Sequence, residues 1–156
     1  MRRTDREVTD RKWQERVLHD ARILELGMID TEGKPYVVPL GFGYQNEMIY
    51  LHGALEGKKN DSLAANPYVC FQVCVPGDAI AKPGGKSFTM EYRSVTGFGK
   101  VTTLFDLDEK NEALAVLMRH YDFPHTPVDE SRKVWVARLD IESMTGKANP
   151  APDNIA

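Results

Sequence analysis

Apolar residues recur along the chain at two spacings, one typical of helices and one typical of strands. Helical spacing predicts a first helix over 10–24, capped by Thr9 or Asp10, and a third over 106–121, capped by Asp106 or Asp108. A short second helix is predicted over 57–66. It ends before a proline, because the residue before proline disfavours the helical conformation.

Short apolar runs separated by polar turns predict about six strands, mostly joined as hairpins. They cover 23–30, 35–44, 48–54, 67–75, 88–105 (one bent strand or two) and 133–146. Residues 76–87 are rich in Pro and Gly and are predicted to form a loop. The βαβ alternation of parallel sheets is missing. The pattern therefore predicts a mainly β (α+β) fold, in which an antiparallel sheet closes into a small barrel with peripheral helices.

Length and charge narrow the class of protein. The 156 residues indicate a single domain over 1–156, with a flexible, Pro-rich tail over 148–156. A formal charge of −3 is unusual for a general nucleic-acid binder. No apolar run reaches the length of a membrane span, and the charged start is unlike a secretory signal. We therefore expect a cytoplasmic protein without nucleic-acid or membrane partners.

Neither the cysteines nor the histidines suggest a metal or a disulfide. Cys70 and Cys74 lie four residues apart on one predicted strand, about 13 Å apart on the same face. A disulfide needs Cα atoms within about 7 Å, so both thiols are expected to be reduced. The four histidines form no close ligand pair, and no metal is expected.

The segment HGALEGKKND, residues 52–61, superficially resembles a nucleotide-triphosphate loop. It lacks the hydroxyl that binds magnesium, its spacing is one residue short, and no parallel strand precedes it. Lys58 and Lys59 nevertheless stand at the first turn of a helix, where cations oppose the helix dipole. This placement favours a bound phosphate, although two solvated surface lysines would give the same sequence.

Three further stretches carry candidate chemistry. Pro39 cannot donate a ladder hydrogen bond and marks an edge or a bulge, while Gly41 and Gly43 indicate a barrel corner or a ligand close to the main chain. In EYRSVTGFGK, a polar strand face that includes Ser94 could line a site or face solvent. His52 precedes the lysine loop, and a lone histidine is more often structural or solvated than catalytic.

Five segments, taken together, resemble the split-barrel flavoproteins related to pyridoxamine 5′-phosphate oxidase. In order and spacing they are YVVPLGFGY, IYLHGALEGKK, NPYVCFQV, YRSVTGFGK and MTGKAN. The resemblance spans roughly residues 8–150 and is closer to the branch related to 5-nitroimidazole resistance reductases. It implies a six-stranded Greek-key split barrel. It also implies a homodimer that holds two FMN molecules between its subunits.

The resemblance also implies a set of site residues. Lys58 and Lys59 match the basic pair that binds the FMN phosphate. Other matching positions would contact the ring, the ribityl chain or the barrel wall beside the flavin: Val38, Pro39, Leu40, Gly41, Phe42, His52, Gly53, Arg93 and Ser94. Trp135 would reach the flavin from the partner subunit. His52 matches a histidine to which the nitroimidazole branch assigns an active-site role, and it is the candidate proton donor.

Two departures bear on function. The oxidase carries Arg-Lys where this chain has Lys58-Lys59, and lysine lacks the bidentate fork of arginine. The basic, aromatic end that helps the oxidase to hold vitamin B6 is missing from TGKANPAPDNIA. The main hypothesis is an FMN-dependent oxidoreductase acting on a small molecule, with NAD(P)H as a candidate electron donor. The alternatives are a non-catalytic flavin carrier or sensor, and a binder of deazaflavin or haem.

Overall fold

A computed structural model describes residues 4–129 and 133–150. After a short 3-10 helix (Thr4–Arg6), the first half of this range contains β1 (Glu7–Val8), α1 (Arg11–Asp20), β2 (Leu24–Ile29), β3 (Pro35–Leu40), β4 (Phe42–Gln45), β5 (Met48–Gly53) and α2 (Lys58–Ala65). The second half contains β6 (Tyr68–Ala81), β7 (Phe88–Thr103), α3 (Leu107–His120) and β8 (Trp135–Asn149).

All strands belong to one antiparallel sheet. Its order is β3-β2-β6-β7-β8-β5-β4, with β1 added beside β8, so β3 and β4 form its two ends. The mainly β, split-barrel class is confirmed. The described residues form eight strands instead of about six, because the run predicted as one strand over 35–44 breaks at Gly41 and because the two-residue β1 was missed.

The loop predicted over 76–87 is wrong. Strand β6 continues to Ala81 and pairs with the start of β7, so the connection spans only residues 82–87. The register shifts between Pro76 and Ala79, which is how the sheet accommodates a proline in mid-strand. Strand β8 likewise reaches Asn149, so two residues expected in the flexible tail belong to the sheet. The remaining tail, 151–156, lies outside the described residues.

The core lies inside the curved sheet and beneath α1. Along β2, Leu24, Leu26 and Met28 point inward while the residues between them do not, which is the alternation of a half-buried strand. Among the described residues, the largest fully buried side chains come from six strands and from α1. They include Phe42, Phe71, Leu18, Leu24, Leu26, Ile49, Leu51 and Leu139. The sheet therefore supplies most of the large side chains of the core.

Aspartate caps fix the starts of two helices. The Asp10 Oδ1 atom accepts a hydrogen bond from the Trp13 N–H at 2.6 Å, and Asp106 Oδ1 accepts two at the start of α3. The cap of α1 is therefore Asp10 and not Thr9, and the cap of α3 is Asp106 and not Asp108. Helix α1 ends at Asp20, because Leu24 already belongs to β2.

Helix α3 packs directly on β4, and this contact explains Gly43. A Cβ atom at this position would lie 2.7 Å from the Leu117 Cα atom, a distance that real Cβ atoms do not tolerate. From the sequence, the glycine at position 43 was explained by a barrel corner or by a ligand close to the main chain. In the structure the helix backbone takes that space, so Gly43 is not a mark of the ligand site.

The cysteine prediction is confirmed. Cys70 and Cys74 are free thiols, and burial raises the pKa of both. In residues 4–129 and 133–150, no helix is long and apolar enough to cross a membrane.

Candidate functional site

Two lysines stand where three elements meet. Helix α2 begins at Lys58, after Gly57 with φ 123°, and no side chain caps its first N–H groups. The β2–β3 turn approaches from one side, and the ends of β5 and β8 from the other. We call Lys58, Lys59, Asp30 and Trp135 the lysine anchor.

Lys58 is paired with a carboxylate from the β2–β3 turn. Its Nζ atom lies 2.8 Å from the Asp30 Oδ2 atom, and 4.8 Å from the centre of the Tyr36 ring. The hydrogen bond from Lys58 is the largest cause that lowers the pKa of Asp30, and the bond to Asp30 raises the pKa of Lys58. Both groups are therefore charged at neutral pH, and the side chain of Lys58 remains 57% exposed.

Lys59 lies in a different environment. Its Nζ atom stands 3.3 Å above the centre of the Trp135 ring and donates a hydrogen bond of 2.9 Å to Asn60 Oδ1. A Cβ atom at Gly53 would lie 3.5 Å from the same nitrogen, in ordinary van der Waals contact, so Gly53 lines the space beside Lys59. Burial lowers the pKa of Lys59 to about 8. Within the described part of the chain no carboxylate forms an ion pair with Lys59, so its charge is uncompensated.

Strand β3 runs away from the anchor along an edge of the sheet. Among the described strands it pairs only with β2, so its other backbone edge is open. Pro39 fits this edge because it has no N–H to leave unpaired, which confirms one of the two predicted explanations. Tyr36, Val38 and Leu40 turn toward the core, while Val37 points outward and is 60% exposed.

Gly41 and Phe42 leave this edge and enter the core. The Phe42 side chain is fully buried, and its N–H donates to the Tyr121 hydroxyl at 3.0 Å. The Tyr121 hydroxyl in turn donates to the Arg22 carbonyl at 2.8 Å. A Cβ atom at Gly41 would lie 3.3 Å from the same hydroxyl. The open stretch of backbone therefore ends near Leu40. The backbone N–H of Phe42 is already used by the Tyr121 hydroxyl and is not available to a ligand.

His52 lies on the other face of β5. Strand alternation turns Gly53 toward Lys59 and turns His52 toward α3. There it lines a cavity of about 220 Å³, the histidine cavity, with apolar side chains and His125. The Nε2 atom of His125 is buried and has no hydrogen-bond partner among the described residues. His52 thus lines one cavity with a second imidazole, on the face of β5 opposite to the face that Gly53 turns toward Lys59.

Arg93 and Ser94 are distant from the anchor within one chain. They lie ten and nine residues before Thr103, whose hydroxyl accepts a hydrogen bond from the Trp135 indole. Ten residues of strand span roughly 33 Å along its path. Arg93 instead pairs with Asp20 at 2.9 Å, and the Ser94 hydroxyl donates to the Lys147 carbonyl at 3.4 Å.

The predicted site residues therefore separate into groups. Gly53, Lys58, Lys59 and Trp135 come together, and β3 continues from them. Trp135 lies against Lys59 of its own chain, and its contact with the flavin of a partner subunit stays a prediction. Four residues near these groups were missed: Asp30, Tyr36, Tyr121 and His125. Among the described residues no group of three possible ligands could hold a metal ion.

Comparisons with known proteins agree with this architecture. The sequence model described as pyridoxamine 5′-phosphate oxidase matches residues 10–148. A solved structure of a candidate 5-nitroimidazole antibiotic resistance protein from Bacteroides thetaiotaomicron is 33% identical. Its TM-score is 0.83, over 91% of this chain and 86% of that chain. A search of curated proteins found no match.

Two further solved structures extend the comparison. An FAD-binding protein from Mesorhizobium loti is 28% identical, with a TM-score of 0.68 over 92% of this chain and 96% of that chain. The FAD and haem binding protein from Mycobacterium smegmatis is 19% identical and shares the fold, with a TM-score of 0.80 over 96% and 76%. The family match covers almost all of the sheet, including both lysines and the open edge. The chain therefore belongs to the pyridoxamine 5′-phosphate oxidase family of flavin-binding split barrels.

Proposed function

We propose that this protein is an FMN-dependent oxidoreductase that acts on a small organic molecule. The observation that carries the proposal is the lysine anchor: two ammonium groups at an uncapped helix start, beside an open strand edge, in a member of a flavin-binding family. FMN has both parts that this arrangement suits, a terminal phosphate and a long body that can lie along a strand.

The anchor suits a phosphate monoester. Such a group carries nearly two negative charges at neutral pH, since its second pKa is about 6. Lys58 and Lys59 provide positive charge, and the free N–H groups at the start of α2 add donors and a favourable dipole. Without an anion the two cations oppose that dipole, so a bound phosphate removes an unfavourable arrangement.

The open edge of β3 supports the rest of the binding site. Val38, Pro39, Leu40 and Gly41 are proposed to contact the cofactor through their main chain. Carbonyl oxygens along an edge strand are free to accept hydrogen bonds, and the bulk of the side chains does not block them. Phe42 would contribute only by fixing the end of this edge in the core.

When bound, the flavin supplies hydride or electron transfer, and the chain holds, shields and orients it. His52 is the proposed proton donor, because an imidazole titrates in the neutral range and can donate a proton at Nε2 or Nδ1. A substrate that receives its proton from His52 would have to reach the histidine-cavity side of β5 while still contacting the flavin. NAD(P)H is the proposed electron donor, and nitroaromatics or quinones are the acceptors to test first.

The proposal includes a homodimer with FMN at the subunit interface. We propose that a partner subunit brings Arg93 and Ser94 to the cofactor, because within their own chain they contact Asp20 and Lys147 and not the lysine anchor. The outer face of the sheet also exposes apolar side chains, such as Val37 and Phe98, that a second copy would cover. Light scattering of the purified protein should give twice the chain mass of 17.6 kDa.

The test of the proposal is reconstitution followed by turnover. Purified protein is incubated with FMN, FAD or haemin, freed of excess ligand, and the retained cofactor is released and weighed. FAD and haem are included because the two similar structures named above bind them. FMN retention with NAD(P)H-dependent turnover of an added acceptor supports the proposal. Retention of FMN without turnover from any electron source would indicate a carrier or sensor. Retention of only FAD or only haem would show that the proposed cofactor, FMN, is wrong.

A further inference from the structure

Lys58 and Lys59 are neighbours in sequence but are held in opposite ways. Lys58 is exposed and paired with a carboxylate, whereas Lys59 is half-buried over an indole and unpaired within the described residues. Two ammonium groups and one carboxylate leave a net charge of +1 at the anchor. The carboxylate of Asp30 therefore needs an explanation, because it reduces the attraction for a phosphate.

Asp30 is held firmly in place by the β2–β3 turn. Its Oδ1 atom accepts hydrogen bonds from the N–H groups of Glu32 at 2.9 Å and Lys34 at 2.8 Å. Its own N–H donates to the Lys34 carbonyl at 2.8 Å, and its side chain is only 2% exposed. With one oxygen fixed by the turn, the other oxygen, Oδ2, has a fixed position 2.8 Å from Lys58 Nζ.

The turn alone does not require a charge. Asparagine makes the same kind of side-chain hydrogen bond to the backbone and is common in turns. It would keep an oxygen for Glu32 and Lys34 but would present an NH₂ group to Lys58. The charged residue is therefore explained by the lysine and not by the turn.

Fixing Lys58 in this way leaves it able to bind an anion. An ammonium group has three donors, and Asp30 uses one of them. A free lysine side chain loses considerable rotational freedom when it is ordered, and a contact that orders it beforehand lowers that loss on binding. The stacking of Lys58 Nζ near the Tyr36 ring restricts it further.

We propose that Asp30 is a positioning residue, which orders Lys58 for recognition of the cofactor phosphate while Lys59 supplies the uncompensated charge. This inference rests on the proposed function, since it assigns a role within the same FMN site. It predicts that the contribution of Asp30 is specific to the phosphate and depends on Lys58.

The experiment compares the affinities of FMN and riboflavin, which lacks the phosphate, in wild type and Asp30→Asn. We expect Asp30→Asn to weaken FMN binding roughly tenfold, the size of one charge-assisted contact, and to leave riboflavin binding unchanged. Glu32→Gln is the matched control, because it removes the same charge from the same turn, where Glu32 forms its ion pair with Lys34 and acts on Lys58 only through space. Its FMN affinity should stay within about twofold of wild type.

Testing Asp30→Asn in a variant that lacks Lys58 distinguishes a positioning role from general damage to the fold. In Lys58→Met, the carboxylate has no lysine to orient and only repels the phosphate, so adding Asp30→Asn should leave FMN binding unchanged or improve it. An equal loss in both backgrounds, or an equal loss for riboflavin, would overturn the inference. So would tighter FMN binding by Asp30→Asn alone, because Asp30 would then merely compete with the phosphate. If the wild type binds no flavin, the proposed function itself is wrong.

Discussion

The lysine anchor and the histidine cavity lie on opposite sides of strand β5, and they differ in how completely one chain builds them. At the anchor, every charged group has a neighbour that fixes it: the turn for Asp30, Asp30 for Lys58, and the indole for Lys59. The cavity brings an exposed His52 and a half-buried His125 together with apolar side chains, and one nitrogen of His125 has no partner among the described residues.

This difference suggests that the lysine anchor binds the cofactor and that the histidine cavity takes part in the reaction. Ordered charges with spare donors are suited to hold an anion and contribute little to proton transfer. Imidazoles in an apolar cavity are suited to move a proton and contribute little to holding a phosphate. We therefore expect variants of the anchor to change cofactor affinity and variants of the cavity to change turnover.

Reversing the charge of both anchor lysines should have the largest effect. Lys58→Glu with Lys59→Glu turns two attractions for the phosphate into repulsions, and we expect FMN affinity to fall by about 1,000-fold or more. The measurement is fluorescence titration with FMN. Lys82→Glu with Lys86→Glu, two exposed lysines in the β6–β7 loop, makes the same charge change elsewhere and should bind FMN normally. Retention of FMN by the anchor variant would reject the phosphate assignment.

Removing the proposed proton donor should give the opposite pattern. His52→Ala is expected to lower kcat about 100-fold, within the usual contribution of general acid catalysis, and to leave FMN affinity intact. Steady-state assays and flavin titration of the same preparation check both halves. His125→Ala is the matched variant in the same cavity. Unchanged turnover in His52→Ala would show that the catalytic role is wrong.

A packing variant tests whether the cavity side can be loosened without disturbing the anchor. Gly43→Ala forces a Cβ atom against the backbone of α3, and overpacking of this kind costs about 1–3 kcal/mol of unfolding free energy. Urea unfolding measures the loss. Gly41→Ala should cost less, since its nearest atom is the end of the Tyr121 side chain at 3.3 Å. FMN affinity of folded Gly43→Ala should match wild type, and a large drop would show that the two sides are coupled.

The smallest expected effect is a pH dependence that belongs to Lys59. Burial lowers its pKa to about 8, so the ammonium is present below that pH and is lost as the pH rises through it. The phosphate binds the charged form, so the preference for FMN over riboflavin should weaken by up to about tenfold for each pH unit above 8. In Lys59→Arg this dependence should vanish, because arginine stays protonated. A flat profile in wild type would mean that Lys59 does not contact the phosphate.

Local pattern was sufficient to predict most of the elements. Short apolar runs between polar turns identified β2, β5 and most of β8, and aspartates ahead of apolar stripes identified the starts of α1 and α3. The last part of β6, residues 76–81, was predicted as loop because Pro76 and Gly77 usually break strands, and only the pairing with β7 shows that a register shift accommodates them.

Of the site, the sequence predicted the residues that are close to one another along the chain, but not the contacts between distant residues. Lys58 and Lys59 are adjacent, and their position at a helix start could be seen in the chain. Asp30 meets Lys58 across 28 residues, and the Tyr121 hydroxyl meets Phe42 across 79. Such contacts depend on how the sheet curves, which no local pattern specifies. His52 was predicted to lie near the lysines because it is close to them in sequence. Strand alternation would have shown that His52 and Gly53 point to opposite faces of β5.

The most direct test of the central claim is the ratio of FMN to riboflavin affinity in the wild-type protein at pH 7. If the lysine anchor holds the phosphate of the cofactor, FMN should bind at least 100-fold more tightly, as two charge-assisted contacts would give. Mass analysis of the ligand released on denaturation should then show FMN. Equal affinity for the two flavins, or release of no flavin after reconstitution, would contradict the account.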